Sequence, residues 1–548
     1  MTALVALDPF IGSYLGEPGC ADRLPDLSPE GHDARADLAR RTLTALAATP
    51  TPETDDERLC ARLLRERLNA ELALHDAGEH LRRVSTLGST LHLIRKVFTL
   101  APTRTDDDWH AIARRLRAVP AALDGYRACL ATGLDSGLPA GPSAVSAVLD
   151  QLDTWTKPGT GSFHMLAATA PHALRPDIAR AADRAALGLV DLRTWLRGTY
   201  APRVADAPDT FGRDRYRLWS RHHNGADLDL EEAYTYGWSE YHRLLAEMHH
   251  AAQRILPGCT DPWQALAHLE EHGEAIEDPE AARSWLQSLT EQTIEALDGT
   301  HFTLADDVRR VETRLAPQGV TAAYYTGPSA DFSRPGRTWL PTLGRSRFPV
   351  HDLVSTWYHE AVPGHHLQVA QWTHVGADRL TRFQASSGVV NANVEGWALY
   401  AEHLMDELGF LTRPDHRLGY LQAQMLRTVR VIVDIGIHLG LPIPGDAAYL
   451  PGERWTPRTA GVFLRRNCAR PRSFVDAELL RYQSNPGQAI GYKLGERAWL
   501  RGRTAARTRH GNRFDIKTWH MAALSQGPLG LDDLTNELSV LGDRPDSA

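Results

Sequence analysis

Cysteine is scarce in this 548-residue chain: Cys20, Cys60, Cys129, Cys259 and Cys468 are odd in number, far apart, and form no C-x-x-C pair. That excludes a disulfide framework, offers no thiolate set for a metal, and fits a reducing cytoplasm. Long apolar runs are missing too. No stretch of about eighteen apolar residues occurs, so no spanning helix is expected. Met1 to Asp8 lack a basic flank, and their apolar run is cut by Asp8 and Pro9, so no export signal or lipid anchor is expected. Lysine and arginine form no stripe, and the net charge is −8, which argues against a nucleic-acid partner. Fixed-period repeats and low-complexity tracts are absent as well. A cytoplasmic protein is expected, with neither nucleic acid nor membrane as partner.

What is present is ordinary globular material, 43% hydrophobic and 23% charged, in a chain too long for one hydrophobic core. Leucine and alanine recur at three- and four-residue spacing over Arg35–Ala48, Glu57–Ala77, Thr105–Leu130, Asp177–Leu196, Leu230–Ile255 and Pro279–Leu297, predicting amphipathic helices. After Asp307 the texture changes. Arg310 to Leu343 reads as short strands and turns, and helical pattern returns from Asp352. The expected fold is mainly α, with a small β-hairpin insert before a chemistry-bearing helix. The expected division is an N-terminal helical lobe, 1–300, and a catalytic lobe, 301–548.

The chemistry is concentrated in Trp357-Tyr358-His359-Glu360-Ala361-Val362-Pro363-Gly364-His365-His366. A His-Glu pair followed by another histidine opens the thermolysin type of zinc helix, in which two histidines bind the ion and the glutamate polarises its water. That motif spaces its histidines four apart, about 40° and about 6 Å on a helix. Here His359 to His365 would span roughly 120° and 9 Å on an unbroken helix, and His359 to His366 about 10.5 Å. Neither pair could share an ion with bonds of about 2 Å. Pro363 offers the escape. It lacks the N–H that would bond the His359 carbonyl, and Gly364 beside it accepts backbone angles closed to other residues. A break here brings one of the paired histidines back toward His359.

Glu395 and Glu402 lie seven apart, on one face of a mostly apolar helical stretch, Asn391 to Glu402. Buried carboxylates are costly unless paired or bound to metal. Glu395 therefore reads as third ligand, leaving a fourth position for water, and Glu402 as the group holding a histidine's other nitrogen. The alternative for Glu395 is a helix N-terminal charge. Farther on, Arg427, Arg430, Asp434 and His438 form one polar stripe on an otherwise oily helix, so the stripe faces the interior. Arg430 could grip a substrate carboxylate; the rival account is an Arg–Asp network tying helices together. Tyr482 and Tyr492 flank the Pro486-Gly487 turn, and a phenol near a metal could steady an oxyanion.

With these segments, the sequence resembles the bacterial family known as domain of unknown function 885. The resemblance rests on Tyr324-Tyr325, Phe332 to Gly336, His359 to His366, Glu395 to Glu402, Val433 to His438, and Tyr482 with Pro486-Gly487-Gln488. It implies an almost all-helical architecture with a deep central cleft, similar to zinc oligopeptidases and carboxypeptidases of the gluzincin type. It also implies one Zn2+ per chain on His359, His365 (favoured over His366) and Glu395, with Glu360 as base and Tyr482 steadying the oxyanion. Arg430, Arg334, His366 and Tyr325 would bind substrate, and Asp434 would join Glu402 in supporting the ligands. The expected reaction is hydrolysis of an amide bond in a short peptide or peptide-like metabolite. The alternatives are a metal-dependent hydrolase of a non-peptide ester or amide, and a non-catalytic small-molecule binding protein.

Overall fold

Helices form where the three-and-four spacing runs. The computed structural model describes residues 1–17, 19–86, 88–157, 161–317 and 320–541. All six expected helices are present, at Pro29–Ala48, Asp55–Asp76, Asp106–Asp135, Arg175–Trp195, Leu230–Ile255 and Pro279–Leu297. Local chemistry sets their starts. At Asp106–Asp135 the Asp108 N–H donates to Thr105 Oγ1 at 3.2 Å, and the Thr105 N–H to the Asp108 carboxylate at 2.9 Å, a reciprocal cap.

The chain divides into two compact units. The first comprises Met1–Thr51, Arg65–Trp219 and Asp476–Pro486. Its core gathers Leu116, Leu123 and Leu130 from Asp106–Asp135, and Ile178, Leu189 and Leu192 from the helix packed on it, Arg175–Trp195.

The second comprises Pro52–Leu64, Ser220–Val475 and Gly487–Ala548. Its axis is helix Pro414–Leu439, where every residue from Leu418 to His438 except Arg427 is buried. A helix oily all round must be covered all round. Leu230–Ile255 and Val350–Glu360 both pack on it. Helix Asn391–Glu407 meets Gly491–His510 where Gly396 faces Gly495. A Cβ on Gly396 would lie 2.4 Å from the Gly495 carbonyl carbon, so the two backbones approach only because both residues are glycine.

The division expected at residue 300 does not hold. Ser220 to Leu297 belongs with the second unit, because Leu230–Ile255 packs on Pro414–Leu439 and Pro279–Leu297 packs on strand Val311–Leu315. The change of texture after Asp307 marks the onset of strands inside one unit, not a boundary. The insert is also more than a hairpin. Strand Gly336–Leu340 is central, with Tyr324–Thr326 antiparallel on one side and Val311–Leu315 parallel on the other. Among the described residues, no helix is long and apolar enough to cross a membrane.

Candidate metal centre

The segment with misfit histidine spacing breaks where Pro363 stands. Helix Val350–Glu360 ends, four residues intervene, and helix His365–Arg379 begins. The Val362–Pro363 peptide is cis. Gly364 has φ −74° and ψ −131°, outside the regions open to residues with a Cβ, and it also supplies room. A Cβ there would sit 1.9 Å from the His359 carbonyl oxygen and 2.4 Å from that of Tyr358. Two carbonyls within the break itself are satisfied: the Trp397 indole N–H donates to Pro363 O at 2.9 Å and Gly364 O at 3.1 Å.

The break turns the two rings toward each other. His359 and His365 lie edge to face with centroids 4.7 Å apart. Glu395 Oε2 stands 3.4 Å from His359 Nε2 and 3.5 Å from His365 Nε2. Glu360 joins the two histidines in a group whose ligand atoms lie within 4.8 Å of one another. These separations suit a tetrahedral ion, whose ligand atoms stand about 3.3 Å apart at bond lengths of about 2 Å. Burial alone would raise the Glu395 carboxyl, yet His359 and His365 hold it well below the ordinary carboxylate range.

Support comes from deeper in the unit. The His359 Nδ1–H donates to Glu402 Oε1 at 2.8 Å. Glu402 is fully buried, accepts the Ser355 hydroxyl on its other oxygen, and has Arg427 Nη2 at 3.5 Å. Burial would depress His359, but Glu395 and Glu402 push it up to about 9. This nested arrangement fixes the ring and leaves its Nε2 facing Glu395.

His366 has a different task. Its Nε2–H donates to Val308 O at 2.7 Å, and its Nδ1 accepts the Tyr325 hydroxyl at 3.0 Å. Burial holds it neutral, with its pKa down to about 4. Both nitrogens are committed, so His366 is neither ligand nor substrate contact; it fastens strand Tyr324–Thr326 to helix His365–Arg379.

A cavity of about 390 Å³ opens on His359, Glu360, His365 and Glu395. Tyr324, Tyr325, Val369, Val394 and Tyr492 complete most of its wall. Arg334 and Arg430 are not among its lining residues. Arg334 Nη1 donates to Pro335 O at 3.3 Å, and the Arg430 guanidinium lies 4.7 Å over the Tyr492 ring. Asp434 accepts the Gly487 N–H at 2.8 Å and stands 3.7 Å from His438, so it secures the glycine turn, while Glu402 holds the histidine. Tyr482 belongs to the first unit, where its hydroxyl donates to Glu478 at 2.7 Å. Of the two tyrosines flanking the glycine turn, the one at the cavity is Tyr492, its ring 6.4 Å from that of His359 and nearly parallel to it.

Residues 9–538 match the family model described as a bacterial protein of unknown function (DUF885). The chain belongs to this family. No curated protein sequence matches the DUF885 chain. Two solved structures share its fold. One, "the putative lipoprotein from Colwellia psychrerythraea", superposes with a TM-score of 0.83 at 20% identity, covering 98% of this chain and 96% of that one. The other, "a putative lipoprotein of unknown function from Shewanella oneidensis", gives 0.75 at 16% identity, with 98% and 97% covered. At such identities the likeness shows a shared, mainly helical fold.

Three contributors to the DUF885 site escaped the sequence reading. Ser355 sits four residues before His359, on the same helical face, a spacing that could have found it. Arg427 stood in the noted polar stripe without an assigned partner. Tyr492 lies across the glycine turn from Tyr482, and the signal that could have ranked them is Glu478, four residues before Tyr482 and bonded to its hydroxyl.

Proposed function

We propose that this chain is a zinc-dependent hydrolase that cleaves an amide bond in a short peptide or peptide-like metabolite. One observation carries the reading: two imidazole Nε2 atoms face a single buried carboxylate oxygen at 3.4 and 3.5 Å, with a second carboxylate, Glu360, in the same cavity. His359, His365 and Glu395 would hold the ion, a neutral-nitrogen and carboxylate donor set suited to Zn2+. When bound, the ion supplies Lewis-acid polarisation of a carbonyl and acidifies a water.

The remaining work falls to the chain. Glu360 takes a proton from the attacking water and hands it to the leaving amine, so that the amine departs neutral. Tyr492 donates a hydrogen bond to the developing oxyanion, in place of Tyr482, and Arg430 over its ring steadies that phenol. Glu402 keeps His359 in one orientation. The cavity wall is aromatic and aliphatic beside the acidic and imidazole groups, which favours an uncharged substrate side chain. The likeness to zinc oligopeptidases and carboxypeptidases, with their deep cleft, forms part of the same proposal.

Glu360→Gln tests it. The variant is expected to keep its metal and lose turnover by roughly 10²–10⁴-fold on the best substrate from a screen of dipeptides, N-acyl amino acids and esters. Full turnover with metal bound would remove Glu360 as base. Preference for esters over every amide would replace the peptide reading with a non-peptide one.

A further inference from the structure

A second group of metal-competent side chains lies in the first unit, on residues that the proposed reaction does not use. Asp33 comes from helix Pro29–Ala48, His75 from the last turn of Asp55–Asp76, and His80 from the short turn Glu79–Arg82. Each offers one ligand atom within 4.8 Å of the other two, the same closeness found for His359, Glu360 and His365. His75 Nε2 is 2.9 Å from Asp33 Oδ1, and its Nδ1 faces Asp76 Oδ1 at 3.4 Å. The imidazole thus sits between two carboxylates, one placed as fellow ligand and the other as support for its remaining nitrogen.

The His75 and His80 rings stack at 4.6 Å with planes 3° apart, and His32 leans on His80 at 4.9 Å. Hydrogen bonding accounts for His75 and Asp33, but not for His80. Its Nδ1 is buried and has no hydrogen-bond partner among the described residues, a nitrogen waiting for a proton donor or a cation. The nearby cations are turned elsewhere: Arg35 Nη1 donates to Asp26 O at 2.9 Å, and Arg40 Nη2 pairs with Asp76 at 2.7 Å.

We propose that Asp33, His75 and His80 form a second site, binding a borderline divalent cation such as Zn2+ or Co2+. Two imidazoles and one carboxylate are the donors such ions favour, and small side-chain rotations would set the three ligand atoms about 3.3 Å apart around one ion. Asp33 is exposed and His75 only partly covered, so this adjustment requires no movement of the core. The ion would staple the end of one helix and the turn after it to the flank of another. Its role is structural, tying together two elements of the first unit.

The test is stoichiometry on the full chain, stripped with a chelator and titrated with Zn2+ or, for its visible absorption, Co2+. With His359 and Glu395 both replaced by alanine, one equivalent is expected to remain. Adding His75→Ala and His80→Ala removes it. In the otherwise unaltered chain, His75→Asn, at a partly exposed position, lowers the Zn2+ count by one and abolishes one component of the Co2+ spectrum. An unchanged count in His75→Asn, or no equivalent bound once His359 and Glu395 are gone from a folded chain, overturns the second site. The outcome is separable from that of the proposed reaction: if His359 binds no ion, the parent binds one equivalent and His75→Asn binds none.

Discussion

The chain carries two clusters of histidine and carboxylate, built by opposite means. At His359 and His365 each ligand is buried or nearly so, and His359 leans on Glu402, which leans in turn on Ser355 and Arg427. At Asp33, His75 and His80 the carboxylate is exposed and the imidazoles are partly covered, with one carboxylate behind one imidazole. A ligand set that must activate a water needs fixed geometry and a dry wall, and both come from packing. A set that only staples two elements can close when the ion arrives.

Substitutions can break that contrast or sharpen it, and the largest effect should come from the break in the helix. Gly364→Ala drives a methyl into the His359 and Tyr358 carbonyls. A loss of about 3 kcal/mol or more is expected, since the backbone itself must shift. Chemical denaturation and the zinc content of the purified variant measure it together; native stability with full zinc would show that the break is not required. Next, Glu402→Gln keeps the shape but weakens the hold on His359, and a 10–100-fold fall in zinc affinity at that site is expected by competition with a chelator.

Acid provides a third probe. Asp352 opens the histidine helix and pairs with Arg470 at 3.0 Å. Burial would raise its pKa, but Arg470 brings it down to about 2. Because the folded value lies below the unfolded one, the pair contributes its stability above about pH 4 and loses it as pH falls through 2, about 2 kcal/mol in all. Asp352→Asn should flatten the acid limb of the stability profile; an unaltered limb would count against the pair. The smallest effect is expected at the second cluster, where His75→Asn should change metal-free stability by about 1 kcal/mol, the hydrogen bond to Asp33 being the main loss at a partly covered position. A larger loss would mean that the stacked rings already hold the unit together without an ion.

The sequence spoke clearly wherever periodicity decided the outcome, as in the six helices and the oily helix Pro414–Leu439. It also exposed the break, because proline and glycine stood where a regular helix would have forbidden the chemistry. It failed where side chains distant in sequence compete for one place. Spacing alone does not separate His366 from His365, which the resemblance favours; Tyr325 and Val308 occupy both nitrogens of His366. Tyr482 has Glu478 four residues earlier on its own helix and is bonded to it, a local signal the reading did not use, while Tyr492 lines the cavity. The unit boundary was illegible for a related reason: the packing of Leu230–Ile255 on Pro414–Leu439 joins segments that a linear change of composition sets apart.

The Trp397 indole stands two positions beyond Glu395 on the same helix and grips the backbone immediately before His365. Carboxylate and imidazole are therefore coupled through a single ring, so a displacement of one helix drags the other with it. The separation of those two donors is thus held by a bond that involves neither of them.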